Sequence, residues 1–320
     1  MSSRISRRDF LLGAGGLGVG AAVAWALKPT AQPPQQPQPP RNRALRIAFL
    51  TDVHVQSWGN APAGMARALR HAQTLADRPD VIFNGGDAIM DALEADKRAT
   101  QAQWDLWNSI LREELTLPIV HCIGNHDVWG WLSPDPSILN DPLYGKGFPL
   151  QQLGLEQPYY SFDQAGWHFI ILDSSFQGEN QYGYVGRLDD DQFNWLSEDL
   201  GSTSSETPVC VVSHIPILCV SEFYDGENEV TGNWVVPGAW MHIDSRRLKD
   251  LFLMHDNVRL CLSGHAHQID RADYHGVKYL CNGAVCGAWW QGPYLGFPPA
   301  YVVIDLYDDG SSESETILYE

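Results

Sequence analysis

The stretch Ala44-Leu45-Arg46-Ile47-Ala48-Phe49-Leu50-Thr51-Asp52-Val53-His54 decides how the rest of the chain is read. A mostly apolar run with branched and aromatic members suits a buried, pleated surface. It gives way at once to Asp-x-His. That change predicts a strand over 44–50 and a following loop whose two ligand-type side chains project to one face. The arrangement then repeats. A helical spacing over 62–77 leads to a short apolar run at 80–83, which ends in Asn84-Gly85-Gly86-Asp87. A second helical spacing, over 93–115, leads to a strand at 118–123 and then to Gly124-Asn125-His126-Asp127. Strand, helix, strand, helix, strand predicts crossover units and a layered α/β fold.

Farther along, a hairpin is expected from strands 159–163 and 167–173 about Ala165-Gly166. Asp189, Asp190 and Asp191 open a helix over 189–200, where negative charge suits the helix dipole. A strand at 209–212 ends in Ser213-His214. After a helix over 244–255, another strand at 258–262 ends in Ser263-Gly264-His265-Ala266-His267. Strands are also expected near 269–274, 277–281, 301–307 and 314–319, and residues 129–157 and 219–241 read as irregular inserts. No repeat of solenoid period is present. Every polar motif thus follows a predicted strand, where open α/β sheets place their ligand sites. Carboxylate and imidazole together suit Mn, Fe or Zn. The glycines before Asp87, Asn125 and His265 permit turns that larger residues resist.

This ordered set, over roughly residues 45–270, resembles the calcineurin-like metallophosphoesterase superfamily. The resemblance implies a four-layer α/β/β/α sandwich of two mixed sheets, as in metallo-dependent phosphatases. It also implies two divalent or trivalent metal ions (Mn, Fe or Zn) bridged by Asp87. Asp52, His54 and His267 would complete one site; Asn125, His214 and His265 would complete the other. The pair would share a hydroxide that attacks the phosphorus of a phosphate ester, with a phosphodiester favoured over a monoester. His126 is then the candidate general acid and Asp127 the carboxylate that orients its ring. The purple acid phosphatase branch carries a tyrosine three residues after the bridging Asp, whereas here that position is Met90. The pattern resembles the bacterial cyclic-nucleotide phosphodiesterase branch more closely.

Composition bounds the partners. The 320-residue chain has a formal charge of −18, which excludes a nucleic-acid backbone as an expected ligand. The substrate expected is a small phosphate ester. Ser6-Arg7-Arg8-Asp9-Phe10-Leu11-Leu12 and the apolar run to Leu27 resemble a twin-arginine export signal within residues 1–31. The export machinery would be its partner, and the periplasm or the extracellular space its destination. The run is near the lower limit for spanning a bilayer, so a retained membrane anchor is the alternative. Removing residues 1–31 takes away four basic residues and one acid, moving the charge from −18 to −21. Residues 32–43 read as a Pro/Gln-rich linker and 44–320 as the catalytic domain. Six cysteines, most in apolar strand-like runs and none in CxxC spacing, read as buried free thiols.

Aromatic residues supply a further expectation. Trp58, Trp129, Trp131, Trp289 and Trp290 sit in or beside loops and are candidates for a wall that stacks on the substrate, Trp129, Trp131, Trp289 and Trp290 first among them; the alternative is that they pack irregular loops down on the sheet. His71, His121, His168, His242, His255 and His275 lie outside the motifs and read as structural or surface residues. Asp91 reads as a helix cap. Two rivals share the fold expectation: a phosphomonoesterase, and a catalytically idle metal-binding envelope protein. A serine esterase is excluded because no GxSxG is present.

Overall fold

Strand alternation explains the layers. In the computed structural model, which describes residues 41–224 and 228–319, β1 runs Arg43–Leu50. Leu45, Ile47 and Phe49 point one way, packing with Phe169, Ile171, Leu260 and Leu262. Ala48 and Leu50 point the other way, packing with Met65, Leu69, Trp104 and Trp107. One strand therefore seals two cores, as its period of two requires. Each such large apolar side chain contributes about 1.5–3 kcal/mol on full burial.

β2 (Val81–Asn84) and β3 (Ile119–His121) continue β1 in parallel. β12 (Ala300–Tyr307) and β13 (Ser312–Leu318) add antiparallel strands on its other side. The helices α1 (Ala61–Gln73) and α2 (Lys97–Glu114) cover the outer face. The second sheet has the order β10-β11-β9-β8-β5-β4. Here β4 is Tyr160–Gln164, β5 Trp167–Leu172, β8 Val209–Ser213 and β9 Val258–Ser263. β10 (Ile269–Tyr274) and β11 (Val277–Asn282) complete it. Ile170 and Leu172 on its outer face meet Leu196, Leu200, Leu248 and Phe252 of two further helices. These are Asp190–Ser202 and Ser245–Phe252. The result is the expected α/β/β/α sandwich of two mixed sheets.

Several local expectations shift. Helix α2 starts at Lys97 and not near 93, because Asp96 is its N-cap and accepts from Ala99 N at 2.8 Å. Asp91 caps no helix; its Oδ1 accepts from Leu93 N at 2.8 Å in a turn. The insert at 129–157 is partly regular, with a 3-10 turn at Pro136–Asn140 and a helix at Gly147–Leu153. A small hairpin, β6 (Ser175–Gln177) with β7 (Tyr184–Gly186), is too short to show a period in sequence. The segments read as signal and linker lie, up to residue 40, outside the described residues. Among the described residues no helix is long and apolar enough to cross a membrane. All six cysteines are buried free thiols.

His168 shows how the edge of the second sheet is tied to its helix. Its Nδ1 lies 2.7 Å from Asp163 and its Nε2 2.8 Å from Asp199. Hydrogen bonding to Asp199, opposed by burial and aided by Asp163, raises its pKa above the ordinary value. The charged ring is the form the fold favours, so its stabilisation is full below about pH 6.5. It is lost as pH rises through the raised folded value. The melting-temperature difference between the native chain and His168→Asn is therefore expected to be largest near pH 5.5 and to shrink by pH 9. Thermal melts across that range check it, and a difference constant with pH would contradict it.

Candidate active site

Five loops at the carboxyl ends of β1, β2, β3, β8 and β9 bring the ligand-type residues together. Asp87 after β2 is the centre. Its Oδ2 lies 3.5 Å from His54 Nε2 on one side and 3.2 Å from His214 Nε2 on the other. Around the first lobe, His54 Nε2 is 3.2 Å from His267 Nε2, and Asp52 Oδ1 is 3.4 Å from His267 Nε2. In the second lobe, Asn125 Oδ1 is 3.1 Å from His214 Nε2, and His265 shares a cluster with Asp87 and His214. Asp52, His54, Asp87, Asn125, His214 and His267 are all buried, and His265 is partly so. The structure thus gathers all seven candidate ligands.

Whether these residues suit a cation follows from where their protons can go. His54 Nδ1 faces Met90 O at 3.4 Å, His214 Nδ1 faces Gly85 O at 2.8 Å, and His267 Nδ1 faces Gly287 O at 2.6 Å. Each carbonyl accepts from that nitrogen, so in the neutral ring Nε2 presents a lone pair inward. His265 is reversed: its Nε2 faces Ala239 O at 2.9 Å, leaving Nδ1 for the site. Four imidazole nitrogens, carboxylate oxygens and an amide oxygen then crowd together as acceptors with few donors between them. A divalent cation fits that donor set.

The backbone is bent to make it. Asp52, His54, Asp87, His265 and His267 all have positive φ, between 47° and 70°. Non-glycine residues held there carry strain, and such strain clusters at functional sites. Of the three glycines that precede Asp87, Asn125 and His265, Gly86 alone has a positive φ, +100°. Gly124 and Gly264 serve close approach instead. A Cβ on Gly124 would lie 2.1 Å from Asp87 Oδ1, and one on Gly264 2.3 Å from Asp52 Oδ2.

Electrostatics follow the same grouping. Burial pushes Asp87 up, but the imidazoles of His214, His126 and His54 outweigh it and hold its pKa well below the ordinary carboxylate value. Burial would lower His214, but Asp87 outweighs it and raises the ring to about 9. Burial wins at His54, which falls to about 3, and at His265, which falls to about 4.

Comparison with known proteins settles the class. The family described as calcineurin-like phosphoesterase matches residues 45–269. The chain belongs to that family. A probable cyclic nucleotide phosphodiesterase of Synechococcus sp. is 29% identical over 276 residues, covering 85% of this chain and 91% of the relative. A 3′,5′-cyclic-nucleotide phosphodiesterase of Nostoc sp. is 26% identical over 280 residues, covering 83% and 90%. A dimetal phosphatase from Danio rerio shares the fold, with a TM-score of 0.58 at 15% identity, over 87% of this chain and 100% of that one. The chain is a metal-dependent hydrolase of phosphate esters.

Within this calcineurin-like phosphoesterase, three sequence expectations need correction. Asp127 does not orient His126. Its carboxylate accepts from the backbone N–H groups of Asp87 (3.0 Å), Ala88 (2.9 Å), Ile89 (3.3 Å) and Gly124 (2.8 Å). It fastens the β2 loop to the β3 loop. The carboxylate that does face His126 is Asp91, with Oδ1 3.6 Å from Nδ1. Trp129 is 1% exposed, packs edge-to-face on Phe148 and donates to Ala95 O, so it is core and reaches no substrate. Trp290 is a fastener: its Nε1 donates to His54 O at 3.1 Å and its ring packs on Gly64.

The other two tryptophans differ. Trp131 packs in a satellite apolar cluster with Leu93 and Tyr184, with Lys146 Nζ 5.4 Å from its ring centre. Trp289 lies against the site itself, 4.6 Å from the His267 ring and 6.0 Å from that of His54. Sequence reasoning missed Cys286, whose Sγ is 3.9 Å from His267 Nδ1. It also missed Thr51, which donates to Asp52 Oδ2 at 2.7 Å. The hydroxyl beside the first motif residue was the available signal for the latter.

Proposed function

We propose that this enzyme hydrolyses a phosphodiester at two divalent cations, with Asp87 a ligand to both. The observation that carries this reading is the position of Asp87 Oδ2 between His54 at 3.5 Å and His214 at 3.2 Å. Asp52, His54 and His267 would hold one cation with Asp87; Asn125, His214 and His265 would hold the other. Cations of the Mn, Fe or Zn type, when bound, acidify water and neutralise charge on phosphate oxygens. His126 gives its proton to the leaving oxygen. Its ring stands 4.9 Å from that of His54 and is partly exposed, so it reaches a bound ester from the open side. Asp91 positions that ring, and Asp127 holds the two motif loops in place. Trp289 shields His267 from water.

A diester is favoured over a monoester because the Synechococcus and Nostoc relatives both carry that activity in their names and match along most of their length. Export to the periplasm or beyond by the twin-arginine route is supported by residues 6–27. Free buried thiols also suit a chain that folds in a reducing compartment before export. The test is a rate comparison on a chromogenic diester and the matching monoester with Mn²⁺ supplied. The diester is expected to be turned over with the higher kcat/KM. A preference for the monoester would replace the reading with a phosphomonoesterase, and no turnover of either would favour an idle metal-binding protein.

A further inference from the structure

Beside the metal-ligand cluster, between the loop after β1 and the start of α2, lies a cavity of about 410 Å³. That volume falls in the range of small-molecule sites. None of the seven candidate ligands lines it. It meets the active site at two points. Asp91, on its wall, faces His126 Nδ1 at 3.6 Å, and Met90, beside it, offers its carbonyl to His54 Nδ1 at 3.4 Å.

Three features of its lining point to one kind of ligand. Gln56 is 4% exposed, yet its side-chain amide makes no hydrogen bond to any described residue and stays open to the cavity it lines. Burying an amide without a partner is unfavourable, so one kept open to a cavity is a donor and acceptor in waiting. Trp58 is 63% exposed at the same cavity, an indole face held in water. Ala95, Ala99 and Ala102 line the same cavity with nothing beyond Cβ, Ala99 and Ala102 sharing one face of α2. Gln103 is spoken for: it accepts from Asp91 N at 3.0 Å and donates to Asp91 O at 2.8 Å, which holds that wall in place. A cavity lined by alanines, an exposed indole and a free amide matches a planar heterocycle that carries its own donors and acceptors.

We propose that this cavity binds the nucleobase of a nucleotide phosphoester whose phosphate lies at the metal site, with Trp58 stacking on the ring and Gln56 reading its edge. The proposal rests on the phosphodiester reading given above and names its substrate class. Its test compares kcat/KM for a cyclic adenosine phosphate with kcat/KM for the cyclic phosphate of base-free ribose. In Trp58→Ala, a surface truncation that leaves the core alone, the ratio of the two is expected to fall about ten-fold or more. Gln56→Met is the second variant and should lower the same ratio about five-fold or more. If the unaltered enzyme hydrolyses both diesters and neither variant moves the ratio beyond about two-fold, the base subsite is wrong while the phosphodiester reading stands. If it hydrolyses neither diester, both fall together.

Discussion

Asp87→Asn is expected to keep the fold and to lose at least about a thousand-fold in kcat, about 4 kcal/mol of transition-state stabilisation. The substitution conserves volume, and Oδ1 can still accept from His126 N, which lies at 2.8 Å. What it removes is the negative charge shared between His54 and His214. Two cations need that charge between them, because their mutual repulsion is otherwise opposed only by outer ligands. Bound metal should fall from two equivalents per chain to one or fewer, by elemental analysis after gel filtration. Retention of both metals with near-normal turnover would remove Asp87 from its bridging role.

His126→Ala is expected to separate metal binding from catalysis. No described geometry puts the ring among the ligands, so both metals should be retained. Loss of the proton donor should cost about a hundred- to ten-thousand-fold in kcat for an ester with a strongly basic leaving alcohol. For a nitrophenol, which leaves without help, the loss should be far smaller. Asp91→Asn should follow the same leaving-group pattern with a smaller loss, while Asp127→Asn should not, since Asp127 bonds backbone N–H groups and not the ring. Measurements across a series of leaving groups check this. A loss independent of the leaving group would contradict the acid role.

The order of motifs was legible because ligand chemistry sits where apolar strand runs stop. Leu50, Asn84, His121, Ser213 and Ser263 end their strands, and the site residues follow within a few positions. The layers were legible for the same reason, since an alternating strand such as β1 declares two buried faces. What resisted reading was direction. His126 and Asp127 are neighbours in sequence, but in a tight turn adjacent side chains diverge, and Asp127 meets four N–H groups while Asp91 arrives from another loop. Sequence likewise offers no sign of which aromatic in an insert turns inward. Trp129 is drawn into the core by Phe148, from a helix some twenty residues on, whereas Trp289 is left at the site by positive φ values at positions 289 and 290. Gly124 and Gly264 likewise read as turn formers, but their role is to leave room for Asp87 and Asp52, which only the packing reveals.

The most direct measurement is a Mn²⁺ titration of the chelator-stripped full chain, followed by electron paramagnetic resonance and by turnover of a phosphodiester. Two equivalents should bind, with the exchange-coupled spectrum of two ions sharing a ligand, and turnover should rise with the coupled species and vanish along with the coupling in Asp87→Asn. One equivalent at saturation, or two magnetically isolated ions with full turnover, would contradict a centre bridged by Asp87.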